Sequence, residues 1–263
     1  MPIKNYGMPT LIETNTLCEC ARLCAELGLD FIELNMNLPQ YQLQKIDADY
    51  FKRMAAQYGI YYTIHLDENL NVCDFNPYVA EAYRKTVADT IEIAKQLDVQ
   101  ILNMHMAKGV YFTLPDKKMY LFSEYKEHYL ESIAKFKEMC GNAVGENNIQ
   151  ICIENCDGFE DFQKGAVELL LESKVFALTF DVGHNHGIGG TDEAFIMKHK
   201  DRLRHIHLHN AIGKKNHLPL GTGEVDIEKY LSLANEQHCR VVLETKTIDG
   251  LKQSVEWLKG FEL

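Results

Sequence analysis

Seven short apolar segments, spread over most of the chain, each contain or end in one ionisable residue. These residues are Glu33, His65, His105, Glu154, Asp181, His207 and Glu244. Successive side chains of a β-strand point to opposite faces, so an ionisable residue between apolar neighbours lies on the face opposite to them. If the segments are strands of one barrel, the apolar neighbours lie under the helices and the seven ionisable side chains converge inside.

Converging carboxylates repel one another and lose hydration, and a bound cation relieves both costs. The mixture of carboxylate oxygen and imidazole nitrogen suits Zn²⁺, Mn²⁺, Co²⁺ or Fe²⁺, whereas Ca²⁺ takes oxygen ligands only. A single inward histidine is usually a core residue, but packing does not explain seven ionisable residues near the same end of their segments. We therefore predict a divalent metal site.

The segments that carry these residues alternate with segments of helical character. The predicted strands are 6–11, 31–34, 60–65, 99–105, 149–154, 175–181, 203–209 and 240–244. Such alternation predicts parallel strands joined by right-handed crossovers, and eight units without a dinucleotide fingerprint favour a closed barrel. The predicted fold class is α/β, a single (β/α)₈ TIM barrel with its active site at the C-terminal ends of the strands.

Length and composition agree with one domain over 1–263, because such barrels have roughly 250 residues and no linker divides the chain. The formal charge of −11 disfavours a nucleic-acid partner. The first ten residues lack a secretory core and no apolar run is long enough for a membrane helix. With eight cysteines interpreted as reduced thiols, we predict a cytoplasmic protein without a membrane partner.

Five motifs in the second half of the chain are specific enough to indicate a family. They are Ile153-Glu154-Asn155, Phe180-Asp181-Val182-Gly183-His184, His205-Ile206-His207-Leu208-His209, His217-Leu218-Pro219-Leu220-Gly221-Thr222-Gly223 and Leu243-Glu244. In this order, they resemble the xylose-isomerase-like barrels. That superfamily includes sugar isomerases and epimerases, inosose dehydratases and the endonuclease IV type of AP endonuclease, and the resemblance covers nearly the whole chain.

The resemblance implies a metal-ligand set on four strands. Its members are Glu154, Asp181, His207 and Glu244. On the same basis, four histidines are implied as ligands of further metals or as substrate contacts: His65 and His105 for a second metal, and His184 and His217 for a third. Lys215 stands where the endonuclease pattern expects an aspartate, and an ammonium does not ligate a cation. His209 shares the inward parity of His207, and the resemblance selects His207 as the strand ligand.

A metal with two flanking glutamates suits proton abstraction next to a carbonyl. We predict that Glu154 and Glu244 are catalytic, one removing the proton and the other returning it, through a metal-stabilised enediolate. The residues expected to contact the substrate are His184, Glu33, Asn155 and Lys246.

The predicted function is therefore a metal-dependent isomerase or epimerase of a sugar, a sugar phosphate or a related polyol. The alternatives are a polyol dehydratase or lyase of the same barrel family, an AP-endonuclease-like phosphodiesterase and a non-enzymatic binding barrel. Lys215 and the acidic charge count against the phosphodiesterase. The insertion at 107–122, with Tyr111, Phe112 and Tyr120, is interpreted either as a partial lid over a carbohydrate or as the interface of a homo-oligomer.

Overall fold

A computed structural model describes residues 5–260. Eight parallel strands of this part close into a barrel, and we number them β1 to β8. They are β1 Tyr6–Pro9, β2 Phe31–Asn35, β3 Tyr61–His65, β4 Ile101–His105, β5 Gln150–Glu154, β6 Phe176–Asp181, β7 Leu203–Leu208 and β8 Arg240–Leu243. Each strand pairs with its neighbour in sequence, and β8 pairs with β1 to complete the cylinder. The predicted (β/α)₈ fold class is confirmed.

Helices of the described part connect the strands, and most of them cover the outside of the barrel. They are α1 Leu17–Glu26, α2 Ala48–Tyr58, α3 Pro77–Gln96, α4 Leu121–Glu124, α5 Lys126–Val144, α6 Asp161–Leu171, α7 Val182–Gly187, α8 Glu193–Lys198, α9 Ile227–Glu236 and α10 Ile248–Lys259. Short polar side chains begin several of them: Thr16, Asp47 and Asn76 each accept a hydrogen bond from a backbone N–H of the first turn. No helix within residues 5–260 is long and apolar enough to cross a membrane.

The core confirms the alternation inferred from the sequence. Ile32, Leu34, Ile206 and Leu208 are fully buried on the outer face of the strands. The thiols of Cys20 and Cys24 are also buried, as expected for packing residues, and all eight cysteines are free. The outer face of the barrel therefore stabilises the fold and leaves the inner face to the polar residues.

Three features after the strands were not predicted. Helix α7 begins directly after Asp181, where its six residues are too few to show a helical period. Gly183 lies in its first turn because a Cβ there would collide with the imidazole of His209. Antiparallel hairpins follow β4 and β7, the first pairing Tyr111–Thr113 with Lys118–Tyr120 and the second pairing Asn210–Ile212 with Lys215–Leu218. All three lie on the face that carries the ionisable residues.

Candidate metal centre

Strand register brings the ionisable residues together at the C-terminal end of the barrel. Asp181 of β6 pairs with His207 of β7, and His105 of β4 pairs with Glu154 of β5. Residues that pair across parallel strands have the same height and the same facing direction. Residues that are far apart in the sequence therefore lie close together around the barrel axis.

Four of these side chains form one compact group, which we call the four-ligand cluster. Its members are Glu154, Asp181, His207 and Glu244, each with a ligand atom within 4.8 Å of the others. The Nδ1 atom of His207 lies at its centre, 3.3 Å from Glu154 Oε1, 3.1 Å from Glu244 Oε2 and 4.0 Å from Asp181 Oδ2. The side chains of Glu154, Asp181 and His207 are almost completely buried.

The donor atoms of this cluster fit a divalent cation. His207 Nδ1 and Glu244 Oε2 are buried and make no hydrogen bond within the described residues, although they lie beside each other. Buried polar atoms without a partner are rare in native proteins, because the lost hydration is not compensated. One nitrogen and three carboxylate oxygens around a common centre form the donor set expected for a transition metal or zinc.

Electrostatics also favour a positive charge at this centre. Burial lowers the pKa of His207, but the negative charges of Glu154, Glu33 and Glu244 outweigh burial and raise the pKa well above its usual range. Burial raises the pKa of Glu244, but His207 and Lys246 hold it well below its usual range. Glu244 is therefore ionised near neutral pH, as is Glu154, whose pKa His207 and His105 hold well below its usual range although burial raises it, and the cluster attracts a cation.

His65 and His105, the first histidine pair, lie on the Glu154 side of the cluster. Their Nε2 atoms lie 3.5 and 3.2 Å from Glu154 Oε2. The Oε1 atom of the same carboxylate faces His207, so Glu154 has one oxygen toward each group. The thiol of Cys156, which the sequence analysis did not single out, has its Sγ within 4.8 Å of ligand atoms of His105 and Glu154.

His184 and His217, the second histidine pair, lie on the Asp181 side, together with His209. The backbone N–H of His217 donates to His209 Nδ1 at 2.8 Å, and His209 Nε2 lies 3.1 Å from Asp181 Oδ1. Both ring nitrogens of His209 are thus engaged, and the ring positions Asp181 and the His217 loop. His217 has a backbone φ of 55°, a conformation that costs a non-glycine residue energy and that is often associated with function.

Two residues expected to contact substrate have other partners. The amide of Asn155 is fully buried and bonds both the N–H and the C=O of Asp181, so it ties β5 to β6. Glu33 is 2% exposed and lies beneath His207, where it contacts His205 and His207. Both side chains are thus held by other residues of the barrel, and their role as substrate contacts stays a prediction.

Lys246 does lie at the mouth. Its Nζ atom is 2.7 Å from Glu244 Oε1, and its side chain is 52% exposed. Burial lowers the pKa of Lys246, but Glu244 raises it above its usual value, so the lysine stays charged. The Lys215 side chain, in contrast, lies on the exposed hairpin after β7.

Comparison with known proteins identifies the family. A family model described as a xylose isomerase-like TIM barrel matches residues 21–261. The chain belongs to this family. Two uncharacterised proteins of Methanocaldococcus jannaschii are each 24% identical to it, one over 78% of this chain and 74% of its own length, the other over 97% and 88%.

Solved structures share the fold of this family member. A D-tagatose 3-epimerase-like protein superposes with a TM-score of 0.78 at 22% identity, over 97% of this chain and 96% of that protein. The IolI protein with a bound zinc atom has a TM-score of 0.74 at 16% identity, over 97% and 95%. A probable 3-DHS dehydratase, AsbF of Bacillus anthracis, has a TM-score of 0.75 at 12% identity, over 98% and 100%. At these identities the likeness establishes the fold alone.

Proposed function

We propose that the protein is a metal-dependent isomerase or epimerase of a sugar, a sugar phosphate or a related polyol. The observation that carries the proposal is the placement of two glutamates, Glu154 and Glu244, on either side of His207 in one buried cluster. Their nearer oxygens lie 3.3 and 3.1 Å from the same nitrogen. A small polyhydroxylated substrate bound to a cation on this nitrogen would have a carboxylate on each of two sides.

The four-ligand cluster would hold the metal through Glu154, Asp181, His207 and Glu244. A divalent Zn, Mn, Co or Fe ion bound there supplies a Lewis acid that polarises a carbonyl group and favours loss of the adjacent proton. The zinc atom in the IolI structure is consistent with this choice of cofactor.

Glu154 and Glu244 then transfer the proton. They project from strands that are separated by β6 and β7, so they approach a substrate from different directions. One carboxylate removes a proton from the carbon next to the carbonyl, and the other, after it takes a proton from solvent water, returns one; exchange with solvent then restores both carboxylates. Return to the opposite face of the same carbon inverts it, whereas return to the neighbouring carbon moves the carbonyl group.

The second histidine pair is suited to bind substrate oxygens. His217 Nδ1 lies 3.1 Å from the carbonyl oxygen of Glu244, an acceptor, so the Nδ1–H donates to it. The other ring nitrogen then has a free lone pair that can accept a hydrogen bond from a hydroxyl. His184 Nδ1 is buried and makes no hydrogen bond within residues 5–260, which leaves it available to a substrate.

The direct test is proton exchange in D₂O. The protein, loaded in turn with each candidate metal, is incubated with a panel of ketoses and ketose phosphates and followed by NMR. We expect deuterium at the carbon next to the carbonyl, together with a new epimer or isomer. Glu154→Gln and Glu244→Gln should each lower turnover by about 10²–10⁴-fold, the usual contribution of a general acid or base. Glu168→Gln is the matched control, because Glu168 forms only exposed ion pairs.

Other outcomes would select among the alternatives. Release of water with formation of an unsaturated product would favour the dehydratase, a reaction of the kind named for AsbF. Cleavage of abasic DNA would favour the phosphodiesterase. Sugar binding that is unaffected by chelation, with no exchange in any metal form, would contradict an enzymatic role.

A further inference from the structure

We propose that Glu33 is a positioning residue that fixes the orientation and tautomer of His207 for metal binding. This inference rests on the proposed function, because it assigns His207 as a metal ligand. The role differs from a substrate contact: Glu33 acts through His207 from beneath the four-ligand cluster.

The geometry begins with the two nitrogens of His207. Its Nδ1 atom faces the three carboxylates of the cluster, and its Nε2 atom lies 2.9 Å from Glu33 Oε1. An ionised carboxylate at this distance repels a nitrogen lone pair, so the contact requires the proton on Nε2, although the two groups are not aligned as a hydrogen bond. A histidine that binds a cation through one nitrogen has lost the proton on that nitrogen, so only the other nitrogen carries a proton. The Glu33 contact therefore leaves the lone pair on Nδ1, where the cluster needs a ligand.

Glu33 is itself held in place. His205 Nε2 lies 2.8 Å from Glu33 Oε2, and the hydroxyl of Thr63 donates to the same oxygen at 3.1 Å. One carboxylate oxygen is thus occupied by His205 and Thr63, and the other is directed at His207. All of these side chains are nearly or fully buried.

Strand register explains why Glu33 lies deeper than the cluster. Glu33 of β2 pairs with Thr63 of β3, whereas the next inward residue of β3, His65, pairs with Asn35. The carboxylate is therefore one layer below His65 and points across the barrel toward β7, which carries His205 and His207. A carboxylate behind a ligating histidine orients the ring and raises its basicity, and its loss typically costs 10–100-fold in metal affinity.

The charge of Glu33 also has consequences for the surrounding histidines. Burial raises the pKa of Glu33, but His207 and His205 outweigh burial and hold it well below its usual range. The carboxylate is therefore ionised. A glutamine at the same place could direct its NH₂ group at His207 Nε2, which would favour the tautomer with the proton on Nδ1.

The test compares Glu33→Gln with wild type in two measurements. Competition between the protein and a chromophoric chelator gives the affinity for Zn²⁺, and we expect the variant to bind about 10–100-fold more weakly. Proton–nitrogen NMR of the metal-free proteins reports the His207 Nε2–H. We expect a downfield, slowly exchanging resonance in wild type, because the Glu33 carboxylate lies beside this N–H, and a resonance at higher field with faster exchange in the variant.

Two further variants separate positioning from simple structural support. Thr63→Val keeps the volume of the side chain and removes one hydrogen bond to Glu33, so Zn²⁺ affinity should stay near that of wild type. Glu33→Asp keeps the charge but withdraws it by one methylene, and its affinity should fall between those of wild type and Glu33→Gln. If Glu33→Gln does not fold, the Zn²⁺ affinity of Glu33→Asp still tests the inference.

Equal Zn²⁺ affinity in wild type, Glu33→Gln and Glu33→Asp, with an unchanged His207 resonance, would overturn the inference. If wild type itself bound no Zn²⁺, the proposed metal site would fail, whereas the NMR measurement would still report whether Glu33 holds the His207 proton. A Thr63→Val variant as impaired as Glu33→Gln would point to general support of the core.

Discussion

The two histidine pairs on either side of the four-ligand cluster differ in their electrostatics. In the first pair, burial lowers the pKa of His65, but Glu154 and Glu33 raise it to about 9. In the second pair, burial lowers the pKa of His217 to about 4, although Glu244 opposes the shift. Near neutral pH and without metal, His65 is charged and His217 is neutral.

The difference follows from what each pair faces. His65 and His105 end rigid barrel strands and point at one oxygen of Glu154. His184 and His217 lie on a short helix and on a hairpin, beside His209 and a backbone carbonyl. The first pair therefore acts on the ionisation of Glu154, whereas His217 of the second pair offers a neutral ring to a substrate. Histidines at the same edge of one barrel thus have different roles.

The largest expected contrast is in catalysis. His184→Gln and His217→Gln should lower kcat/KM by about 10–100-fold, the cost of a lost hydrogen bond of 1–3 kcal/mol, without moving the pH profile. His105→Gln should lower kcat/KM by a smaller factor, but it should move the acid limb of the pH profile to higher pH. Burial raises the pKa of Glu154, and the variant removes one of the positive charges that lower it. Identical pH profiles in all three variants would remove the distinction between the pairs.

Metal removal gives the next largest effect, because a cation between the two pairs binds only the folded state. Free metal at 100 times its Kd stabilises a protein by about 2.7 kcal/mol, which for a chain of this size is roughly 5–10 °C in Tm. We expect that shift between the loaded protein and the protein in excess EDTA, measured by calorimetry. Asp181→Asn is the matched control and should show almost none of it. The same Tm with and without EDTA in wild type would count against the metal site.

Much of this architecture could be predicted from the sequence, because two-residue periodicity specifies which face of a strand a residue occupies. That rule correctly placed Glu33, His65, Glu154 and His207 on the inner face. It could not specify depth, because the layers of a barrel depend on the register of closed strands. By this rule alone Glu33 and Glu154 are equivalent, although one lies beneath the ligands and the other among them.

Contacts between residues of different strands and loops could also not be predicted from the sequence. Asn155 faces away from the interior by parity, yet its amide bonds the backbone of Asp181 on the next strand. The role of His209 depends on a hairpin that returns the backbone of His217 to its ring. Such partners are brought together by loops whose conformation has no period, so no spacing rule predicted them.

A smaller effect is expected in the pH dependence of the metal-free protein. The unfolded chain protonates His217 near 6.5 and the folded protein only near 4, so this residue lowers stability as pH falls from 6.5 to 4. The stability from His65 is fully present below 6.5 and is lost as pH rises toward 9. Urea denaturation across this range should show a weaker acid-side loss in His217→Gln and a weaker alkaline-side loss in His65→Gln. A similar change in both variants would contradict the opposite pKa shifts of His65 and His217.

The smallest expected effect concerns Lys246, at the mouth near the second pair. Its ammonium group contacts Glu244 and its side chain is about half exposed, so it can contact an anionic substituent. Lys246→Ala should raise KM for a phosphorylated substrate about tenfold more than for the neutral sugar, a difference of 1.4 kcal/mol. Lys214→Ala, on the exposed hairpin turn, is the control. Equal changes in KM for both substrates would indicate that Lys246 acts only through Glu244.

The central claim is that one cation is bound by the four-ligand cluster: Glu154, Asp181, His207 and Glu244. Crystals grown with Zn²⁺ and measured at the zinc absorption edge test it most directly. The expected result is an anomalous peak at roughly 2.0–2.2 Å from His207 Nδ1 and from oxygens of Glu154, Asp181 and Glu244. A fully loaded crystal with its zinc elsewhere, and none among these four side chains, would contradict the account.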